Sequence, residues 1–360
     1  MNPYLKRITR VQSLMEKQGI DAVIAVSTAN FFYFTGTWID PHERLLVCVI
    51  RKNEDPIILA PQMHEEDLIS CTIETIFWKD GQDAIELLAK YLPDNGIISV
   101  DNLWSSYNLI SLMKHKPSLE FVNSSGSLGV LRRIKDSVEI ELLREAGIKA
   151  DRVMREIMKK VVPGVKEIEV VEELKFLWKK EGVHDLAFLP IVGAGPNGAK
   201  PHHQSDETII KAGDMVVIDM GGIVSYYCSD MTRTIAVGEV TPKMLEVYEL
   251  VRNAQEAGVQ AVKPGIPIGE IDRVTRDVIV KGGYGPNFVH RTGHGLGIEV
   301  HEEPYVYTGN DLIIETGMVF SIEPGIYLPG EFGIRIEDIV VATENGSERF
   351  NLFPRELFKV

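Results

Sequence analysis

The chain has 360 residues, too many for one ordinary core and about the length of two domains. With 44% hydrophobic and 25% charged residues it has a globular composition, which excludes a disordered, collagenous or coiled-coil protein. The 38 Lys and Arg against 52 Asp and Glu give a net charge of −14, which argues against nucleic acid or an anionic membrane as partner and leaves a carboxylate-lined cation site open.

Cysteine usage points the same way. Cys48, Cys71 and Cys228 are far apart and odd in number, with no C-x-x-C pair, so neither a disulfide framework nor a thiolate zinc site is expected. The start MNPYLKRITR lacks the apolar core of a signal peptide, and no apolar run approaches the length of a membrane span. A soluble, cytoplasmic protein is the expectation.

Leu5, Ile8, Val11, Leu14 and Met15 recur at helical spacing before Gly19, which predicts an amphipathic helix over 4–18. Strand-like runs follow at 21–27, 45–50, 56–60 and 96–101, with a helical stretch near 81–91. That alternation predicts a mixed α/β domain over 1–128, and NSSGSLG (123–129) has the composition of a linker to a second domain over 129–360. There, Asp136 and Glu139 fit a capping box opening a helix to about 161. Pro163-Gly164 stops it, and a helix over about 166–181 closes at Gly182. Strands and loops lead to 238, helices are predicted over about 241–262 and 267–281, and the end is rich in β-formers and glycine.

The second domain echoes itself. VVPGVKEIEV (161–170) resembles VKPGIPIGEI (262–271), and GDMVVID (213–219) resembles GMVFSIE (317–323), at offsets of 101 and 104 residues. Short Gly/Pro-bounded segments often look alike, but two pairs at nearly equal offsets favour a duplicated α/β unit with Asp219 and Glu323 as equivalent carboxylates.

One glycine motif misleads. Gly193-Ala-Gly195-Pro-Asn-Gly198 matches G-x-G-x-x-G, which in a dinucleotide site opens a helix whose free N–H groups hold pyrophosphate. Here Pro196 removes one N–H, and Pro201 rather than a helix follows. The segment reads as a loop, not a nucleotide site.

Five potential ligands carry more weight. Asp219 ends MVVID and Asp230 lies eleven residues on, so a reversal near 224–225 would bring them face to face; Gly221-Gly222 leaves the turn position open. Glu323 ends FSIE, and Glu337 lies fourteen residues on across a midpoint at Gly330, in the turn-like LPGE. His294 in HRTGHGLG completes the set. Any one of these acids alone reads as a strand-end surface residue. Four acids gathered in a core would repel one another at a cost of about several kcal/mol unless cations neutralise them. Carboxylates with one imidazole suit Mn²⁺, Co²⁺ or Zn²⁺, and five ligands suit two bridged ions better than one tetrahedral zinc.

DMGGIVSYYCSDMTRT, HRTGHGLGIEVHEEP, EPGIYLPG and GIRIED together strongly resemble the pita-bread metallopeptidases, and within them the Xaa-Pro branch of prolidases and aminopeptidases P. The resemblance covers about 129–360, including IKDSVEIELLREA; the part before it resembles the smaller α/β domain that precedes this fold in that branch. It implies an α/β (α+β) chain whose C-terminal pita-bread domain is internally duplicated. It implies two divalent ions, Mn²⁺ foremost with Co²⁺ or Zn²⁺ as alternatives. Asp230 and Glu337 would bridge them, Asp219 would complete one site, and His294 with Glu323 the other. Glu323 would also shuttle the proton. His202 would line the substrate pocket, while His290 and His301 would hold the peptide and the tetrahedral oxyanion. Arg335 would orient the carboxylates or contact substrate. His203 reads instead as a solvated loop histidine.

The implied activity is hydrolysis of the bond before proline in Xaa-Pro dipeptides, in a cytoplasmic homodimer. Some prolidases carry an arginine shortly after the VHE histidine to hold the dipeptide's carboxylate; here that position is Tyr305, and Arg291 is another cationic candidate. An aminopeptidase P acting on longer peptides therefore stays open. The large N-terminal domain argues against a methionine aminopeptidase. The five intact ligands argue against a metal-free binding module or a creatinase-like hydrolase.

Overall fold

Asn2 accepts a hydrogen bond from the Tyr4 amide, so α1 (Pro3–Gln18) starts one residue earlier than its periodicity predicts, and Gly19 closes the other end at φ 70° as expected. The computed structural model describes residues 2–360, which divide into two units, one ending at Arg132 and one spanning Arg133–Val360.

In the first unit, α1 is followed by β1 (Ala22–Ala25), α2 (Thr28–Thr35), β2 (Val47–Arg51), β3 (Ile57–Pro61), β4 (Glu74–Trp78), α3 (Ala84–Ala89), β5 (Gly96–Val100), α4 (Ser106–His115) and β6 (Leu119–Asn123). The six strands form one mixed sheet in the order β4-β3-β2-β1-β5-β6. Nothing in the periodicity announces α2, because all but the first of its residues are buried and it has no polar face. Its signals are the caps, Ser27 on the Asn30 amide and Gly36 in left-handed conformation.

The segment with a linker's composition is ordered. Residues 124–126 form a 3₁₀ turn and α5 (Leu128–Arg133) follows directly. Ser124 and Ser127 are buried, with the Ser127 and Ser99 hydroxyls 2.8 Å apart. Serine here satisfies buried backbone and side-chain partners instead of conferring flexibility. The division between the units falls at the end of α5, four residues beyond the boundary expected from composition.

The second unit opens on α6 (Ser137–Ile157), where Asp136 and Glu139 form the predicted capping box. Next come α7 (Glu167–Lys180), β7 (Ile191–Ala194), β8 (Met215–Met220), β9 (Ile223–Val224), β10 (Tyr227–Cys228), β11 (Met231–Ala236), α8 (Pro242–Ala261) and α9 (Gly269–Lys281). The chain finishes with β12 (Gly293–Gly295), β13 (Glu302–Val306), β14 (Val319–Ile322), β15 (Gly325–Leu328), β16 (Phe332–Arg335), β17 (Asp338–Thr343), β18 (Gly346–Arg349) and β19 (Phe358–Lys359).

The echo in the sequence is a structural repeat. Two helices lead in each half to an antiparallel three-strand unit, β7-β8-β11 after α6 and α7, and β12-β14-β17 after α8 and α9. Gly164 and Gly265 have φ 96° and 91°, and each donates its N–H at 2.9 Å to an equivalent carbonyl, of Ile210 and Ile314. Gly213 and Gly317, before β8 and β14, have φ 93° and 90°. A side chain would strain all four positions, which is why both copies keep glycine there. Apolar side chains of α6 and α7, with Trp178 fully buried among them, cover β8 and β11 from behind and leave the strand ends to present polar groups.

Candidate active site

Two hairpins deliver the four acids. Asp219 on β8 pairs with Thr232 on β11, so the first reversal is centred at Ser225-Tyr226, one residue later than expected. Both turn residues have positive φ, 48° and 71°, the two-residue geometry that matches strand twist. Gly221-Gly222 serves packing instead. A Cβ on Gly221 would lie 2.1 Å from the Ser229 carbonyl oxygen, and one on Gly222 would lie 2.7 Å from the Trp178 ring. Asp219 and Asp230 are consequently diagonal neighbours, not face to face. The second reversal is centred at Gly330 (φ 79°) as expected; Gly325 pairs with Arg335 and Ile322 with Asp338, which sets Glu323 beside Glu337. The Glu337 N–H donates to the Thr232 carbonyl at 3.1 Å and joins the two halves.

The acids converge on one imidazole. Ligand atoms of Asp230, His294 and Glu337 all lie within 4.8 Å of one another. His294 Nε2 is 3.3 Å from Glu323 and 3.7 Å from Asp230. Its Nδ1 donates to the Gly295 carbonyl at 3.1 Å, which leaves the Nε2 lone pair free. Asp219 Oδ1 and Glu337 Oε1 are buried without a hydrogen-bond donor among the described residues. Orphaned carboxylate oxygens cost stability unless a cation meets them, so the donor set fits divalent metal. The electrostatics agree. Burial, then repulsion from Glu337, Asp219 and Glu323, drives the Asp230 carboxyl far above the usual range, and burial with Glu323 and Asp219 does the same to Glu337. Burial raises Glu323 to about 7 and lowers His294 to about 3.

Arg335 is the buried counter-charge. Its Nη2 donates to Asp219 Oδ2 at 2.6 Å, Nη1 to the Tyr327 hydroxyl at 3.0 Å, and Nε to Thr232 Oγ1 at 3.2 Å. Thr232 Oγ1 donates in turn to Glu337 Oε2 at 2.7 Å. The Tyr327 hydroxyl lies 2.8 Å from His290 Nε2, and His290 Nδ1 lies 2.7 Å from the Arg291 carbonyl. The carbonyl requires Nδ1–H, so Nε2 accepts from Tyr327 and both nitrogens are taken. Burial lowers His290 to about 4 and keeps it neutral. His202 and His301 differ, since neither ring is hydrogen-bonded among the described residues; His301 stands edge-on to His294 at 4.0 Å.

One cavity of about 690 Å³ brings together all nine residues singled out in the sequence: Asp219, Asp230, His294, Glu323, Glu337, His202, His290, His301 and Arg335. Phe188, Leu189, Ile191 and Val300 form an apolar wall. Arg291 also lines it, with its guanidinium 4.3 Å from the centre of the Tyr305 ring and no hydrogen bond or ion pair among the described residues. Sequence reasoning missed Thr232 and Tyr327; each stands within four residues of a ligand, but a single hydroxyl leaves no pattern. His203 is not a solvated loop residue. It is buried, and its Nε2 donates to Glu167 at 2.6 Å. Glu167, His203 and Asp206 make a second acid–histidine cluster, yet both Glu167 oxygens are already saturated by donors, which leaves no free lone pair for an ion.

Comparison with known proteins agrees with this geometry. Residues 141–344 match the model of metallopeptidase family M24, and residues 7–134 match that of the creatinase/prolidase N-terminal domain. The chain is 37% identical over 361 residues to the putative dipeptidase YkvY of Bacillus subtilis, covering 98% of this chain and 99% of that one. Among solved structures it is similar to a recombinant prolidase from Thermococcus sibiricus, with a TM-score of 0.95, 36% identity and full coverage of both chains. It is also similar to an X-Pro aminopeptidase from Thermotoga maritima, at 0.84 and 30%, over 98% of this chain and 100% of that one.

Proposed function

The chain belongs to metallopeptidase family M24, and from that premise we propose that it is a two-metal dipeptidase hydrolysing the bond before proline in Xaa-Pro dipeptides. The observation that carries the reading is the convergence of five ligands in one cavity that also presents an unpaired guanidinium.

Asp230 and Glu337 would hold both ions, Asp219 would complete one site, and His294 with Glu323 the other. Mn²⁺ is the first choice, with Co²⁺ or Zn²⁺ as alternatives, because hard carboxylates dominate the set. When bound, such a pair supplies Lewis acidity that makes water nucleophilic near neutral pH and polarises the scissile carbonyl. Glu323 takes the proton from the attacking water and delivers it to the proline nitrogen. His202 and His301, with free ring nitrogens, contact the peptide and the developing oxyanion. His290, whose nitrogens are both engaged, shapes the wall against which the ring packs. Arg335 holds the Asp219 carboxylate in place through its 2.6 Å hydrogen bond.

Arg291 supports a dipeptide substrate. It lines the cavity, Tyr305 supports its flat face, and it makes no hydrogen bond or ion pair among the described residues, so the free carboxylate of a dipeptide fits it. The resemblance supports a homodimer. Three free cysteines support a cytoplasmic setting, and among the described residues no helix is long and apolar enough to cross a membrane.

The test is hydrolysis of Met-Pro or Leu-Pro beside the amide of the same dipeptide, with Mn²⁺, Co²⁺ and Zn²⁺ compared. The reading predicts cleavage of the free acid and a roughly 10-fold or greater loss on amidation. Equal rates on acid and amide would remove the carboxylate anchor and favour an aminopeptidase.

A further inference from the structure

The glycine motif that reads falsely as a nucleotide site does cradle an anion, and the anion belongs to the chain. Glu167, the first residue of α7, is fully buried. Its Oε1 accepts from the Ala194 N–H at 2.8 Å and Asn197 Nδ2 at 3.1 Å. Its Oε2 accepts from the Asp206 N–H at 3.3 Å and His203 Nε2 at 2.6 Å. Four donors spread over residues 194–206 thus close on one carboxylate.

The opposite side of the same loop rests on β16. A Cβ on Gly333 would fall 1.9 Å from the Gly198 carbonyl oxygen, so the two backbones touch. The Pro201 carbonyl accepts from Arg335 Nη1 at 3.3 Å. His202 is the residue between these two anchors, with Pro201 tied to Arg335 before it and His203 tied to Glu167 after it. The ring of His202 makes no hydrogen bond of its own among the described residues, and it lines the substrate cavity. Its placement comes from its neighbours.

We infer that Glu167 is a positioning residue for the reaction: through His203 and the glycine loop it sets where the His202 imidazole stands in the cavity. This rests on the reading of His202 as a group that touches the peptide. Replacing the carboxylate with an amide turns one of its two acceptor oxygens into a donor, so one pair of the four donors loses its partner and the loop loosens while α7, the sheet and the metal ligands stay in place.

A double-mutant cycle in the metal-loaded enzyme tests it, with kcat/KM on an Xaa-Pro dipeptide and bound metal per chain measured together. E167Q should lower kcat/KM roughly 10-fold, because displacing a positioned group by about 1 Å has effects of that order or larger. Two metals should stay bound. In the H202A background the same E167Q change should cost no more than about 2-fold, since its route to the chemistry is gone. Should E167Q fail to fold, N197A, which removes a single donor, should lower kcat/KM about 3-fold and lose that effect in H202A. Additive losses in the cycle, or loss of metal in E167Q, would overturn the positioning role alone. H202A with wild-type kcat/KM would remove His202 from the peptide site and overturn both readings.

Discussion

Thr232→Val replaces a hydroxyl with a methyl of nearly the same size at a position with no exposure, so packing is kept and only polar contacts change. That hydroxyl donates to Glu337 Oε2 at 2.7 Å and accepts from Arg335 Nε at 3.2 Å. Glu337 Oε1 has no donor among the described residues to compensate, so the variant leaves a buried carboxylate without any side-chain hydrogen bond there and a buried guanidinium nitrogen unpaired. Hydrogen bonds to charged groups contribute about 1.5–3 kcal/mol each, so losing two costs at least about 3 kcal/mol. Expressed in binding, that is roughly a 100-fold weaker affinity for an ion that Glu337 would hold. Titration calorimetry with Mn²⁺ on chelator-treated protein reads this directly. Thr234→Val is the control, because the Thr234 hydroxyl bonds only the backbone of Arg335, at 2.9 and 3.0 Å, and its loss should lower the melting temperature while leaving metal affinity within about 3-fold. Thr232→Val with wild-type Mn²⁺ affinity would refute the idea that this hydroxyl holds the Glu337 carboxylate in an orientation that binds metal.

Chelation should abolish hydrolysis and Mn²⁺ or Co²⁺ should restore it; full activity in protein shown metal-free by elemental analysis would end the two-metal mechanism. Asp230→Ala and Glu337→Ala should each lose bound metal together with turnover, whereas His202→Ala should keep both ions and lose mainly kcat/KM, a contrast that metal analysis and kinetics separate. In chelator-treated protein the crowded carboxyls, with Glu323 raised from 4.5 to about 7 by burial, bind more protons folded than unfolded. Their contribution to stability is therefore present at pH 5 and lost as pH rises through about 7, and metal should remove this dependence. Melting temperatures at pH 5, 6, 7 and 8, with and without Mn²⁺, check the sign; a metal-free profile that rises over that range would contradict it.

The site was legible because its chemistry sits at strand ends that the sequence marks from both sides. A hydrophobic run gives the strand, a carboxylate ends it, and a turn midpoint gives the partner, as at Glu323, Gly330 and Glu337. The same logic missed the first hairpin by one residue. Its turn is Ser225-Tyr226, two non-glycine residues in left-handed conformation, while the nearby glycines are needed for contact with Ser229 and Trp178. The repeat was visible because glycines at positive φ cannot drift. Polar partners inside the core were not visible. Thr232, Tyr327 and Glu167 act through hydrogen bonds that only tertiary structure assembles, and no local period reports them. Composition also misled at 123–129, where serine and glycine look like a linker but the hydroxyls are buried and paired. His203 was misread for a related reason, since a histidine two residues after a proline in a polar loop gives no sign of the buried Glu167 that it meets.

Substrate length and the proline requirement separate a dipeptidase from an aminopeptidase of the same fold. Initial rates on Leu-Pro, Leu-Ala and Leu-Pro-Gly should be compared with Mn²⁺-loaded protein at equal concentrations. Proline fixes φ near −65° and leaves no amide hydrogen at the scissile nitrogen, so a cavity shaped for its ring handles Leu-Ala poorly. Leu-Pro should be the fastest of the three. Leu-Pro-Gly turned over much faster than Leu-Pro would make the protein an Xaa-Pro aminopeptidase, and Leu-Ala cleaved as fast as Leu-Pro would contradict proline specificity.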